Sequence, residues 1–310
     1  MAGRPAARII LPRGLVVVAR IIGACLAYLA VLDTVFIIAY GLAQSVVPDD
    51  LKGAFGLISQ GVADGAALVT VLVYWRLVDQ RPIRALGLRS AGAVRRALKG
   101  AAIAALMMGF VVLVNYTLID GAPWDVNTDA AQAVLVLVVG LIGFALQGPA
   151  EEVLFRGYIL ENVRDQWGVR QAVVASSLAF GLLHVSNPAF GVLPFINLVL
   201  FGVATALYKI YVDDNQLWGV FAIHAIWNWL QQVVFGLPNS GIVSVPDSSL
   251  FTLTPNTSLP AVVWGGGFGP EGTLAATLVL LALIGACARR ARRGQIKRRV
   301  VSGRRAATMS

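Results

Sequence analysis

Apolar runs long enough to cross a bilayer recur along almost the whole chain, and this feature limits the fold more than any other. A hydrocarbon core about 30 Å thick needs about 20 apolar residues in helical form, because in lipid every backbone N–H and C=O must be satisfied within its own segment. Eight such runs are read, at roughly 15–47, 54–75, 100–119, 133–160, 170–187, 193–211, 217–236 and 273–288. The chain has 310 residues, of which 57% are hydrophobic and 13% charged. That charged share is about half of what a soluble domain carries. An ordinary soluble enzyme, a disordered chain and a collagen-like chain are excluded. The expected fold is all-α and polytopic, with about eight transmembrane helices in a single domain over 14–288. A short segment, 1–13, precedes that domain and a basic tail, 289–310, follows it.

The net charge of +9 does not point to nucleic acid, because the bases are placed as a membrane topology requires. Three precede the first run, seven lie between Arg76 and Lys99, and Arg164, Arg170 and Lys209 fall near other turns. Nine more lie between Arg289 and Arg305. With eight alternating spans all of these lie on one side, Lys52 alone lies on the other, and Arg20 and Arg156 lie within spans. By the positive-inside rule both termini are then cytoplasmic. The first run is too long for a signal-peptide core and lacks a convincing cleavage site, so it reads as a retained span. The tail can also meet anionic membrane lipid. Cys25 and Cys287 lie in apolar runs at opposite ends and form neither a disulfide framework nor a metal-ligand spacing.

The chemistry is concentrated in a few intramembrane groups. The two histidines, His184 and His224, both fall inside predicted spans, and two of the four glutamates, Glu151 and Glu152, are adjacent in another. Ionisable groups at membrane depth are expensive, so a chain this sparing with them keeps them for function. The alternative is interhelical hydrogen bonding. Glu152 and Arg156 stand at i and i+4, the favourable order for a helical ion pair. Glu151 lies about 100° around the helix and is the freer carboxylate. Phe180 and His184 share a face, as do His224 and Asn228. Three helices can therefore aim a carboxylate, two imidazoles and an amide at one point, provided that the fourth span continues past Pro149 to about Leu160. Asp64, Asp33 and Arg20 read as packing contacts, and Trp218, Trp227 and Trp229 as packing and interface anchors.

The ordered set Glu-Glu-x-x-x-Arg (151–156), Phe-x-x-x-His (180–184) and His-x-x-x-Asn (224–228) resembles the CPBP intramembrane protease family, which groups CAAX prenyl endopeptidases with bacteriocin-processing and Abi proteins. The resemblance covers roughly 138–236. The loop Arg84-Ala85-Leu86-Gly87-Leu88-Arg89 and the stretch 266–272 also look like those of bacterial members. The resemblance implies an intramembrane endopeptidase in a bacterial cell membrane, acting on a peptide or protein substrate, lipidated or not. It implies that Glu151 activates the hydrolytic water and that His184 helps to hold it. It further implies that His224 and Asn228 stabilise the oxyanion, while Glu152, Arg156 and Phe180 support the geometry. Members of the family carry both a metalloprotease label and a metal-free glutamate mechanism. A zinc ion, if used, would take Glu151, His184 and His224; the reading here leans to the metal-free form, without a cofactor. Two other classes remain: a proton-coupled transporter built on the same buried groups, and a non-catalytic immunity or scaffold protein.

Overall fold

The computed structural model describes residues 12–48, 51–243 and 249–307, with side chains described as far as Arg293 in the last helix. Arg4 and Arg8, counted above toward topology, lie outside the described residues. The chain forms α1 (Arg13–Val46), α2 (Lys52–Leu77), α3 (Ala93–Val112), a pair of three-residue strands β1 (Trp124–Val126) and β2 (Phe251–Leu253), and α4 (Ala130–Glu152). It continues with α5 (Leu160–Trp167), α6 (Val169–Leu183), α7 (Val192–Tyr211), α8 (Trp218–Trp229), the single turn α9 (Ala261–Trp264) and α10 (Leu274–Ala307). Three helices run on through π-helical turns: Leu113–Ile119 after α3, Val153–Ile159 between α4 and α5, and Leu230–Val234 after α8.

The all-α polytopic reading holds. Among the described residues six helices are long and apolar enough to cross a membrane: Arg13–Val46, Lys52–Leu77, Ala93–Ile119, Ala130–Trp167, Val192–Tyr211 and Leu274–Arg293. The other two of the eight runs form α6, with 15 residues, and α8, with 12 residues before its π turn, so the count of eight crossings is not confirmed. Pro149 does not end the fourth span, which is continuous from Ala130 to Trp167.

Apolar side chains cover the lipid-facing surface, as with Ile37 and Leu42 on α1, so burial of apolar area cannot by itself drive these helices together. Close approach at small residues does so instead. A Cβ built on Gly100 would stand 2.1 Å from the Gly219 carbonyl oxygen, and one on Gly148 would stand 2.9 Å from the Ala225 nitrogen. These two glycines let α3 and α4 lie directly against α8, one on each side.

The two ends of the bundle differ. At one end Arg20 meets Asp79 at 3.3 Å, Arg81 meets Asp165 at 2.8 Å and Arg96 meets Asp214 at 3.1 Å. The Gly87 carbonyl there accepts from Leu217 N at 2.9 Å, and Gly87 takes a φ of +102° that an L side chain rarely adopts. At the other end β1 pairs with β2 antiparallel, Trp124 opposite Leu253, and Gly241 N donates to Phe268 O at 3.0 Å. One base departs from the topology count. Lys209, counted among the bases near turns, lies within the last turn of α7 and is fully buried, with its ammonium on the Glu161 carboxylate and on the Arg156 carbonyl oxygen at 2.7 Å. Reading this lysine as buried requires knowing its partner, which lies 48 residues away.

Replacing Gly100 with Val forces side-chain atoms into the α8 backbone and should destabilise the protein by about 1–3 kcal/mol. Gly109→Ala, which meets nothing within 4 Å, should be neutral or stabilising by up to about 1 kcal/mol. Thermal unfolding of the two variants in detergent checks this pair.

Candidate active site

A cavity of about 590 Å³ opens within the bundle, and Glu151, His184, His224 and Asn228 all line it. Each is delivered by a different local device. Glu151 is the penultimate residue of α4, followed at once by the π-helical turn. Such wide turns accompany functional positions because they re-aim side chains within an otherwise regular helix. His184 caps the end of α6 and is no longer helical. His224 and Asn228 stand one turn apart inside α8.

Behind the cavity lies a buried charge network. Glu152 and Arg156 are both fully buried, with Arg156 Nη1 3.1 Å from Glu152 Oε1. The same carboxylate oxygen is 3.0 Å from His224 Nδ1. An ionised carboxylate can only accept, so Nδ1 carries the hydrogen and the ring is fixed with Nε2 toward the cavity. The Arg156 guanidinium lies 4.3 Å above the centre of the Phe180 ring. Phe180 in turn packs edge-on to Phe155 and to His224, at 5.4 and 5.8 Å between centroids, and against His184 at 4.9 Å. Phe180 is thus the wedge that separates the two imidazoles and covers the cation.

On the cavity side His224 Nε2 faces Glu151 Oε2 across 3.9 Å. That oxygen has no hydrogen-bond partner among the described residues, although Glu151 is only 7% exposed. The other carboxylate oxygen, Oε1, accepts a short hydrogen bond from Gln147 Nε2, and Gln147 Oε1 accepts from Asn228 Nδ2 at 2.9 Å. One amide hydrogen of Asn228 is so used and its second can still donate. His184 Nδ1 is 2.9 Å from the Phe180 carbonyl oxygen, to which it donates, leaving Nε2 as an acceptor.

Several residues of the site were not singled out by sequence reasoning. Gln147, four residues before Glu151, joins Glu151 to Asn228; its i, i+4 spacing on an apolar helix was the available signal. Asp64, read as a packing contact, instead lines the cavity, 1% exposed, and accepts from Gln60 Nε2 at 3.0 Å. Asp33 and Trp227 line it as well, whereas Trp218 and Trp229 donate to the backbone oxygens of Arg89 and Leu137, as anchoring residues do. Arg20 pairs with Asp79 away from the cavity. Glu271, on the 266–272 stretch, accepts from Ser240 N and Oγ at 2.7 and 2.9 Å and completes one wall.

Residues 130–230 match the family model described as type II CAAX prenyl endopeptidase Rce1-like. Over this stretch the chain is similar to an Rce1-like domain, which supports a protease of the CPBP intramembrane family. Glu151, Glu152, Arg156, Phe180, His184, His224 and Asn228 all fall inside the matched stretch, as does Gln147. Neither the comparison with curated proteins nor that with solved structures finds a match. This match supports a membrane-embedded protease, a class that acts on peptide or protein substrates. A metal ion fits the Rce1-like site poorly. A catalytic zinc takes three protein ligands, and among the described residues no three His, Cys, Asp or Glu side chains stand close enough together to hold one ion.

Removing one partner of the buried ion pair leaves the other uncompensated, so Arg156→Met should destabilise the protein by about 3–5 kcal/mol. Adding Glu152→Gln, which still accepts from His224, should recover part of that loss; the unfolding midpoint in detergent reports both. Burial pushes the Glu271 carboxyl up, against the lowering effect of its Ser240 donors and of His184. The folded state therefore binds this proton more tightly than the unfolded chain does. The stabilising contribution is complete below the ordinary glutamate range and is lost as pH rises through the raised value. Glu271→Gln should flatten this part of the stability–pH curve.

Proposed function

We propose that the protein is a glutamate-type endopeptidase in which Glu151 is the general base and His224 and Asn228 form the oxyanion site. The observation that carries the reading is the facing pair of Glu151 Oε2 and His224 Nε2, 3.9 Å apart on the wall of a cavity that a peptide can occupy. A water hydrogen-bonded to Glu151 at about 2.8 Å lies within attacking range of a carbonyl carbon whose oxygen is held by His224. Glu151 takes the water proton as the C–O bond forms. The carbonyl oxygen gains negative charge and is met by His224 Nε2–H and by the second amide hydrogen of Asn228. Collapse breaks the C–N bond, and Glu151 returns the proton to the leaving amine.

The supporting residues have separate tasks in this scheme. Glu152 holds Nδ1–H of His224, so that the doubly protonated imidazole donates at Nε2. Gln147 keeps one Glu151 oxygen occupied and leaves Oε2 to act on water. It also fixes the Asn228 amide so that its free hydrogen points inward. His184, an acceptor at Nε2, holds the second hydrogen of the attacking water. Few donors compete in the low-polarity surroundings, which strengthens each interaction.

Glu151→Gln should lower cleavage of a verified substrate by about 100-fold or more, the usual size of a general-base contribution. Gln147→Ala should lower kcat by roughly 10- to 100-fold through misplacement of the base, with KM little changed. Because His224 acts as a protonated donor, kcat/KM should fall on the alkaline side, and His224→Gln should lose that limb. A proton-coupled transporter would instead show uptake dependent on His184 in liposomes and no cleavage.

A further inference from the structure

The loop 84–89, with Leu86-Gly87-Leu88 between two arginines, contributes no residue to the wall of the cavity. It touches instead the two elements whose meeting makes the site. Leu86 is fully buried and lies against Gly157, inside the π-helical turn that follows Glu152; a Cβ built on Gly157 would stand 3.4 Å from Leu86 Cδ2. The Gly87 carbonyl oxygen accepts from the N–H of Leu217, which caps α8, at 2.9 Å. The Arg89 carbonyl oxygen accepts from Trp218 Nε1, on the first residue of α8, at 2.7 Å. One contact so bears on the segment next to Glu152, and the other two bear on the start of the helix that carries His224.

Lys209 joins the two sets of contacts. Its ammonium donates to the Arg156 carbonyl oxygen, within the π-helical turn, at 2.7 Å, and is balanced by the Glu161 carboxylate. Three freely rotating donors let one ammonium hold a carboxylate and a carbonyl at once. The loop closes directly over this side chain. A Cβ on Gly87 would stand 3.2 Å from Lys209 Cε and 2.6 Å from the Asn215 carbonyl oxygen, so glycine is what admits the approach. Asn215 Nδ2 in turn donates to Glu161 at 3.0 Å. Such contacts would add stability anywhere in the bundle, but here their placement matters more. Arg156, whose carbonyl oxygen Lys209 holds, is the residue whose guanidinium meets Glu152 at 3.1 Å, and Glu152 orients His224 at 3.0 Å. The path from Lys209 to the imidazole passes through the backbone and side chain of one residue and then through one carboxylate.

We propose that the 84–89 loop and Lys209 form a positioning clamp, which fixes the π-helical turn and the start of α8 relative to one another and so sets the Glu152–His224 hydrogen bond. Leu86, Gly87 and Lys209 are positioning residues and touch no substrate. The proposal rests on the endopeptidase reading above for the use made of His224, but not for the geometry of the clamp. The chain has two histidines, so protein labelled with nitrogen-15 in its histidine rings gives one Nδ1–H signal from each. His184, whose Nδ1 donates to the Phe180 carbonyl oxygen of its own helix, is the internal control. Spectra are recorded in detergent at a single pH. The double substitution Lys209→Met, Glu161→Met replaces a buried ion pair by apolar side chains, which leaves stability close to that of the wild type, while the Arg156 carbonyl oxygen loses its donor. In this variant the His224 signal should shift or vanish and the His184 signal should stay. Leu86→Ala keeps the ion pair, removes the contact on Gly157 and should move the His224 signal as well. With an internally quenched peptide that the wild type cleaves, both variants should show kcat lowered roughly 10-fold and KM little changed. An unmoved His224 signal in either folded variant, or a kcat equal to that of the wild type, overturns the proposal, whatever the unfolding midpoint. Equal movement of both histidine signals overturns it too, because it reports a general loosening of the bundle. A moved His224 signal in a protein whose wild type cleaves no peptide strikes at the endopeptidase reading and leaves the clamp standing.

Discussion

The Glu152 carboxylate, sealed from solvent, meets an arginine from its own helix and an imidazole from another, and the remainder of the site is arranged around that junction. A buried anion is tolerated only when it is compensated, so Arg156 must lie where it does. Its guanidinium needs a cover that does not compete for the carboxylate, and the Phe180 face provides one at 4.3 Å. With Glu152 so neutralised, its oxygen can still orient His224 at 3.0 Å. That orientation is what turns Nε2 toward Glu151. Two adjacent glutamates thus take opposite parts because they point 100° apart: one is locked into structure and the other is left with a bare oxygen on the cavity wall.

A second buried ionic group stands one step further from the cavity. Lys209 reaches the Arg156 carbonyl oxygen as well as Glu161, and Glu161 also meets Arg164 and Asn215. The backbone oxygen it binds belongs to the π-helical turn, where regular i to i−4 bonding is interrupted and carbonyls are left for other donors. The irregular turn that follows Glu151 and Glu152 is therefore held by a cation from α7. Positioning of the site and packing of the bundle are in this sense one set of interactions.

How much of this could be read from the sequence depends on whether both partners lie on one helix. The Glu152–Arg156 pair and the shared faces of Phe180 with His184 and of His224 with Asn228 follow from i, i+4 spacing, and all were legible. So was the all-α membrane architecture, from the length of the apolar runs. Contacts between helices were not. Nothing in the local pattern says that Glu152, rather than Glu151, takes His224 Nδ1, or that Gln147 reaches both Glu151 and Asn228. Asp64 reads as a packing contact because a single acid in an apolar helix offers no direction; the fold turns it into the cavity. Lys209, close to the end of an apolar run, reads as a base on the cytoplasmic side until its buried partner is known. Glu271 lies in a glycine-rich stretch whose course, with positive φ at Gly265, Gly266 and Gly269, no periodicity can foretell.

The wide turn at Val153–Ile159 sets the phase between the two halves of the fourth span. Glu151 upstream looks into the cavity, and Glu161 downstream looks at Lys209, so the two halves serve different neighbours across one irregular turn. A strictly regular helix advances 100° for each residue, and deleting one residue within the turn would rotate everything beyond it by about that angle. A one-residue change of length there would uncouple the cavity-facing half of the helix from its anchorage without altering a single named side chain. The spacing of this segment carries as much of the design as its composition does, and comparison of such chains by residue identity alone would pass over it.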